Sequence, residues 1–546
     1  MAQDIVLKNA AVYTVDADHS WAEAVVISGG KIAFIGQNVG AESYISSGSK
    51  VLDLGGMMVL PGFSDAHAHP SHAMDYVSNI NLYGLDSVEE YMREISEYAK
   101  GHRDAAFLRG GGWDNRFFSS RGPEKSILDA LVADKPISLE SYDGHSLWVN
   151  SVTLDMAGIN RDTKDPEGGL IERDPNTGIP GGTLRETAMG LVDGVIPDYS
   201  IEERKAALLA YQEMALRSGV TLSHDAMLEP PSIASFRELA AEGKLKMRFR
   251  GSFLMDPGRN IEEQVEAVLR ERSLNGDPYF QVTAAKIFVD GVIEGGTAFL
   301  HEPYKHKPDF RGEPLWSSEK LNAMTAALDH EDIQVHYHVI GDAAAAMALD
   351  ALAFAQARNG KRDGRHLITH LQLVDPEDIP RFRELGVVGV PQPFWFKIDD
   401  YYRNLALPFL GETRARVQYP MKSFIEHGII MASSSDFPVT IPFDPLIGIQ
   451  TGITRSAVSP KENMVLWPDE RVGLGELVRS FTANGAYANF LEGEIGSLEA
   501  GKRADLIVLA RNLFDIPPEE ISAVKVLLTI VDGQVVYIDE DFDRKV

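Results

Sequence analysis

Pro61-Gly62-Phe63-Ser64-Asp65-Ala66-His67-Ala68-His69-Pro70 places two histidines one residue apart, just after an apolar run. Side chains at i and i+2 of a strand share a face, so His67 and His69 can aim two imidazoles at one point. At the C-terminal end of a buried strand that pair is a platform for a divalent cation. In a strand-to-loop turn at the surface the same two residues are merely exposed histidines. The surrounding chain has to decide between these readings.

Outward from this stretch, short apolar runs alternate with helical stretches, the pattern of βα units and a parallel sheet. Candidate barrel strands lie at 58–65, 221–224, 248–253, 281–289, 334–338, 366–371, 387–390 and 429–434, and eight is the number a barrel needs. The interval from 70 to 219 is the outlier. It reads as an insertion at about 71–219, because it holds loop-rich material (Gly110-Gly111-Gly112, and residues 162–182) beyond what one crossover helix requires. Residues 4–60 have a different texture, with β-rich runs at 5–7, 11–14, 24–27, 31–35 and 51–54 between turn signals. Runs at 504–509 and 524–536, the latter with an Asp532-Gly533 hairpin signal, repeat that texture near the other end. The expected architecture is α/β: a TIM-like (β/α)8 barrel over 61–486, and a discontinuous small β-sandwich formed by 1–60 and 487–546.

Composition narrows the chemistry. The 546 residues include 80 Asp plus Glu against 52 Lys plus Arg, a net charge of −28 that disfavours phosphate backbones and anionic membrane surfaces. Cysteine is absent, so there is no disulfide framework and no thiolate ligand, and any metal site falls to His, Asp, Glu or a modified Lys. No uncharged apolar run approaches the roughly 20 residues that span a bilayer, and the first residues lack the features of a secretory signal. A cytoplasmic protein with a small-molecule substrate is the expectation, with a homodimer as the default assembly.

Four further elements point to the same barrel end. Gln334-Val335-His336-Tyr337-His338 is another strand-like run with two histidines on one face, and His366-Leu367-Ile368-Thr369-His370 ends a further apolar run. Ser434-Ser435-Asp436 places a carboxylate just past the last candidate strand. Imidazoles and a carboxylate at successive strand ends converge on a barrel mouth, where metal catalysis is expected. The fourth element is Ala284-Ala285-Lys286-Ile287-Phe288, in which a lysine interrupts an apolar strand. A buried ammonium must be paired, lowered in pKa or chemically altered. Two readings stand: a salt bridge with Asp290 or Glu294, or a neutral amine that has added carbon dioxide to become an anionic carbamate able to bridge two cations.

The chain resembles the amidohydrolase superfamily, in particular the branch with N-substituted formamide deformylases. The resemblance is carried by PGFSDAHAHP, RGGGWDNRFF, DGHSLWVNS, GVTLSHDA, AKIFVDG, HVIGDAA, HLITHLQ, SSSDFPV and GSLEAGKRADLIVL, which run in family order from about residue 5 to 536. It implies that His67 and His69 hold one metal, that His338 and His370 hold a second, and that carboxylated Lys286 bridges them. By the same resemblance, Asp436 touches the first metal and acts as general base. His338 is preferred to His336 because Gly341-Asp342 follows at the family's spacing. His145 is implied to face the substrate and take part in catalysis, with Trp113 and Asp114 lining the same pocket, though Trp113 can also be read as core packing; His224 either orients a ligand there or is a satisfied core histidine. One departure is Thr369, which stands where relatives commonly carry an acidic residue.

These readings together give a hydrolase that cleaves a carbon–nitrogen bond of an amide-type substrate with metal-activated water, most naturally at two zinc or manganese ions. Two alternatives remain: a one-metal deaminase or cyclic-amide hydrolase in which Lys286 only pairs a charge, and a non-catalytic regulatory or binding protein on the same fold. Aromatic residues such as Trp148, Trp316, Trp395 and Tyr401 suggest an apolar pocket, yet any large core contains such residues.

Overall fold

Seven of the apolar runs pair in parallel and in chain order: Phe63–Ala68, Val220–Leu228, Arg248–Leu254, Phe280–Phe288, Gln334–Val339, Leu367–His370 and Val388–Val390. In this computed structural model, residues 4–18, 20–77, 79–119, 121–142, 144–166, 169–458 and 464–542 are described. Helices Pro230–Ala241, Ile261–Ser273, Ser318–His330, Asp342–Asn359 and Ile379–Leu385 return the chain from one strand to the next. They cover the outside of the sheet, which is why its strands are buried on both faces.

Residues 430–437 close the gap between the seventh strand and the first. On one side Ala432 N donates to Gly389 O at 2.8 Å and Ser434 N to Pro391 O at 3.0 Å. On the other, Ala66 N donates to Ser433 O at 3.2 Å and Asp436 N to His67 O at 2.8 Å. The eighth strand expected at 429–434 is therefore a run of backbone bonds rather than a regular ladder, and it leaves extended conformation at Asp436, whose φ is 62°.

The first strand expected at 58–65 is two strands. Met58–Pro61 pairs with Leu506–Leu509 and Ala11–Tyr13 in another sheet, and Phe63–Ala68 enters the barrel. Pro61 has no N–H to extend a ladder. At Gly62 a Cβ would stand 2.3 Å from Thr221 Oγ1, so only glycine lets the chain change sheets against the second barrel strand.

The two chain ends do share a sheet. Six strands lie in the order Gln534–Ile538, Val526–Val531, Leu506–Leu509, Met58–Pro61, Ala11–Tyr13 and Trp21–Ala22, while Lys31–Gly36, Ala24–Ser28, Ile5–Lys8 and Lys50–Asp53 form a four-stranded sheet. Alternate residues of both, among them Leu7, Val25, Val12, Val59, Val508 and Leu528, form one apolar core. The expected hairpin is present, with Asp532 and Gly533 at φ 49° and 71° as a primed turn requires. Arg248, at the start of the third barrel strand, joins this region to the barrel: it pairs with Asp505 and, at 2.6 Å, with Asp532.

The interval that reads as loop-rich carries a six-stranded sheet of its own, from Ile80–Asn81 through Leu108–Trp113, Ile137–Ser141, Ser146–Val149 and Pro180–Glu186 to Gly169–Arg173. Gly110-Gly111-Gly112 lies within a strand: a Cβ on Gly110 would stand 2.1 Å from Ile80 O, so the glycine run admits the neighbouring strand. Among the described residues no helix is long and apolar enough to cross a membrane.

Candidate metal centre

Strand alternation and parallel register bring the polar side chains together at the C-terminal end of the barrel. Lys286 stands beside His336 and Phe288 beside His338, so both histidines of the fifth strand face inward on the same side as the lysine. Asp436 Oδ1 lies 3.3 Å from His67 Nε2 and 3.1 Å from His69 Nε2, and its Oδ2 is 3.9 Å from His370 Nδ1. The His338 and His370 rings are 4.5 Å apart, and the His67 and His370 rings 5.0 Å. His370 and Asp436 both occupy left-handed backbone, at φ 75° and 62°. That conformation is costly for a side-chain-bearing residue and clusters at functional sites.

Most of these histidines have one ring nitrogen engaged by the protein. His370 Nδ1 meets Gln392 Oε1 at 3.0 Å, and Gln392 Nε2 in turn donates to Ser434 Oγ at 2.8 Å. His338 Nε2 meets Gly291 O at 3.2 Å, and His67 Nδ1 meets His336 Nε2 at 2.8 Å. Because carbonyl oxygens only accept, His370 carries its proton on Nδ1 and His338 on Nε2, which leaves His370 Nε2 and His338 Nδ1 as lone pairs. Burial pushes the imidazoles of His67, His338 and His370 down, the last to about 4, so all three are neutral near pH 7 as metal ligands must be.

Lys286 is fully buried, and its Nζ has no hydrogen-bond partner. The salt-bridge reading fails on geometry. Asp290 accepts from the backbone N–H groups of Phe299, Ile340 and Gly341, and Glu294 accepts from Tyr401 Oη at 2.8 Å. Burial drives the Lys286 amine down to about 7, with Asp436 opposing. His69 Nδ1 and Asp436 Oδ1 are, like Lys286 Nζ, buried without a hydrogen bond. A nitrogen- and oxygen-rich set with three unsatisfied buried atoms fits a divalent cation, and the ligand atoms of His67, His69 and Asp436 lie within 4.8 Å of one another.

Residues 50–537 match the amidohydrolase family. The chain belongs to that family. It is 31% identical to Protein LONG AFTER FAR-RED 3 of Arabidopsis thaliana over 98% of this chain and 91% of that protein. It is 29% identical to the N-substituted formamide deformylase of Arthrobacter pascens, covering 98% of each chain. The fold matches the crystal structure of an uncharacterized metal-dependent hydrolase from Pyrococcus furiosus with a TM-score of 0.72, at 25% identity and covering 93% of this chain and 99% of that one. As an amidohydrolase, the protein is an enzyme acting on carbon–nitrogen bonds other than peptide bonds.

Other expected site residues of this amidohydrolase have the following surroundings. Trp113 is fully buried in the core of the inserted sheet, packed against Trp148 and Phe118, and its Nε1 donates to Leu139 O at 2.8 Å, so it supports the insertion. Asp114 pairs with Arg116 at 2.7 Å and caps a short helix. The His145 side chain is 45% exposed and lies 3.2 Å from Glu186. His224 is buried between Asn489 and Ser252, beneath the cluster rather than in a substrate pocket.

Several contributors carry no local sequence signal. Ser435 donates from both its hydroxyl and its N–H to Asp65, pinning the Asp436 turn to the strand that bears His67. Trp395 lies flat on His370, rings 5.6 Å apart at 9°, with Nε1 donating to Thr440 Oγ1. Thr369 Oγ1 stands 2.8 Å from His336 Nε2, so the residue that departs from the family pattern faces a neutral ring, which a hydroxyl suits.

Proposed function

We propose that this amidohydrolase hydrolyses an amide-type substrate, such as an N-substituted formamide, aryl amide or carbamate, at a two-cation centre formed by His67, His69, Lys286, His338, His370 and Asp436. The observation that carries the reading is the group of unsatisfied buried atoms, Lys286 Nζ, His69 Nδ1 and Asp436 Oδ1, in one ring of histidines. An unmade buried hydrogen bond costs about 1–3 kcal/mol, so three in one place call for a ligand. Zinc or manganese suits the donor set. When bound, such ions supply an acidified water and a polarised carbonyl.

The protein's own groups take the following parts. His67 and His69 would hold one cation, and His338 and His370 the other. The neutral Lys286 amine adds through its nitrogen lone pair to the carbon of carbon dioxide and releases one proton to water, and the resulting carbamate would offer anionic oxygens to the centre. Asp436 accepts a proton from the attacking water at a carboxylate oxygen and returns it to the departing nitrogen, two tasks for one suitably placed carboxylate. The likeness to the formamide deformylase supports an N-substituted amide over other carbonyl compounds.

A single-cation reading has one observation in its favour: among the described residues, His67, His69 and Asp436 form the group whose ligand atoms all lie within 4.8 Å of one another. A screen over N-substituted formamides, aryl amides, carbamates and lactams, run before and after chelation and again with zinc or manganese restored, tests the proposal. Turnover that disappears and returns with about two equivalents of metal is expected, and about one equivalent favours the single-cation reading. Full turnover in metal-free protein contradicts both.

A further inference from the structure

We propose that a relay of hydrogen bonds from Asn489, beneath the barrel, to His67 at its mouth fixes which His67 nitrogen is free to bind a cation. The inference rests on the reading of the mouth as a metal centre and adds four positioning residues to it: Asn489, His224, Ser252 and His336.

The direction of the relay follows from its lower end. Asn489 Nδ2 donates to Gly485 O at 2.9 Å, which turns Oδ1 toward His224 Nδ1, 2.7 Å away. An amide oxygen only accepts, so His224 carries its proton on Nδ1. A neutral imidazole has one donor and one acceptor; His224 Nε2 therefore accepts, and Ser252 Oγ at 2.7 Å gives it the hydroxyl proton. With its one hydrogen used, Ser252 Oγ accepts from His336 Nδ1 at 3.0 Å. His336 Nε2 is then an acceptor. His67 Nδ1, 2.8 Å away, donates to it, and the Thr369 hydroxyl shares the same lone pair.

The result is a His67 whose proton is held on Nδ1 and whose Nε2 lone pair faces Asp436 Oδ1 at 3.3 Å. Two acceptors facing each other repel, and a cation between them removes the repulsion. Asn489 is 4% exposed, His67 1%, and His224, Ser252 and His336 not at all, so bulk water offers these groups no alternative partners. Asn489 directly follows the helix Ala483–Ala488, beyond the last barrel segment. Through the relay the C-terminal part of the chain orients a ligand that the first barrel strand supplies. Fixing a ligand histidine through its other nitrogen typically governs metal affinity by about 10–100-fold.

The test is nitrogen-15 NMR of the imidazoles in metal-free protein labelled at histidine, assigned through contacts to strand neighbours, together with zinc titration. In the wild type His67, His224 and His336 are each expected to be protonated on Nδ1. Ser252→Ala removes one oxygen from the middle of the relay. It is expected to admit the Nε2-protonated form at His67 and to weaken zinc binding about tenfold or more. Ser252→Thr keeps the hydroxyl and is expected to keep both the tautomers and the affinity. A wild-type His67 protonated on Nε2, or a Ser252→Ala protein with wild-type tautomers and wild-type affinity, overturns the relay. A wild type with all three Nδ1 protons in place that takes up no zinc would instead sink the metal-centre reading and leave the relay standing.

Discussion

The two ends of the barrel handle buried charge in opposite ways. At the N-terminal end Arg248 pairs with Asp505 and Asp532, Asp532 also accepts from Arg503 at 2.9 Å and from Tyr279 Oη at 2.8 Å, and the Asp532 N–H donates to Asp505 at 2.9 Å. At the C-terminal end Lys286 Nζ, His69 Nδ1 and Asp436 Oδ1 have no hydrogen bond. Both regions are buried and both hold ionisable groups, so burial alone does not mark a functional site. Pairing of the charged groups separates them: Arg248 and its carboxylates at the floor are paired as folded, while Lys286, His69 and Asp436 at the mouth each keep an unpartnered atom.

The largest expected effect is that of Lys286→Ala, which should abolish turnover and metal retention together, because the proposed bridge leaves with the side chain. Short carboxylic acids supplied with zinc should restore part of the turnover by placing a carboxylate in the vacated space. Metal retained at full occupancy in this variant would return Lys286 to the class of charge-pairing residues found at the floor. Next is Asp436→Asn, expected to keep most of its metal and to lose about 10²–10⁴-fold in turnover, since the amide preserves shape without accepting a proton. Steady-state kinetics beside metal analysis reads both quantities, and a near-normal rate would remove Asp436 from proton transfer.

A smaller effect separates the ends by pH. The Lys286 amine, lowered to about 7 by burial, is ammonium below that value and neutral above it, and only the neutral form adds carbon dioxide. Metal-free protein given zinc at one fixed concentration of dissolved carbon dioxide should therefore activate about tenfold faster one unit above that pH than one unit below it. Equal activation rates on the two sides would count against a titrating lysine at the mouth. The smallest effect on turnover belongs to the floor. Arg248→Ala should leave the rate per folded molecule unchanged while destabilising the protein by about 3–5 kcal/mol, because it strands a buried carboxylate. Denaturant unfolding monitored beside activity checks this, and a drop in rate at full folding would show that the ends are coupled.

How much of this was legible in the sequence follows from which interactions are local. Strand alternation alone puts His67 and His69 on one face, His336 and His338 on another and Lys286 among apolar neighbours, so the mouth was legible in outline. The parallel order of the sheet was legible because each apolar run is followed by a helical one. The break at Pro61-Gly62 was not, since an apolar run that changes sheets looks like one long strand until its partners are known. Ser252, Gln392 and Asn489 were invisible because each is an ordinary polar residue whose partner arrives from a different strand or helix. Trp113 could be read in two ways for a related reason: an aromatic residue in a core and one in a pocket have the same sequence signature. The glycine run beside it belongs to a strand for a steric reason that only the neighbouring Ile80 backbone reveals.

The most direct test of the claim that the mouth is a metal centre is a high-resolution crystal structure of the protein grown with zinc and bicarbonate. The account predicts zinc at His67, His69, His338, His370 and Asp436, with density extending past Lys286 Nζ as a carboxylate between two ions. Ordered density that stops at Nζ, with no cation among these residues at saturating zinc, would contradict it.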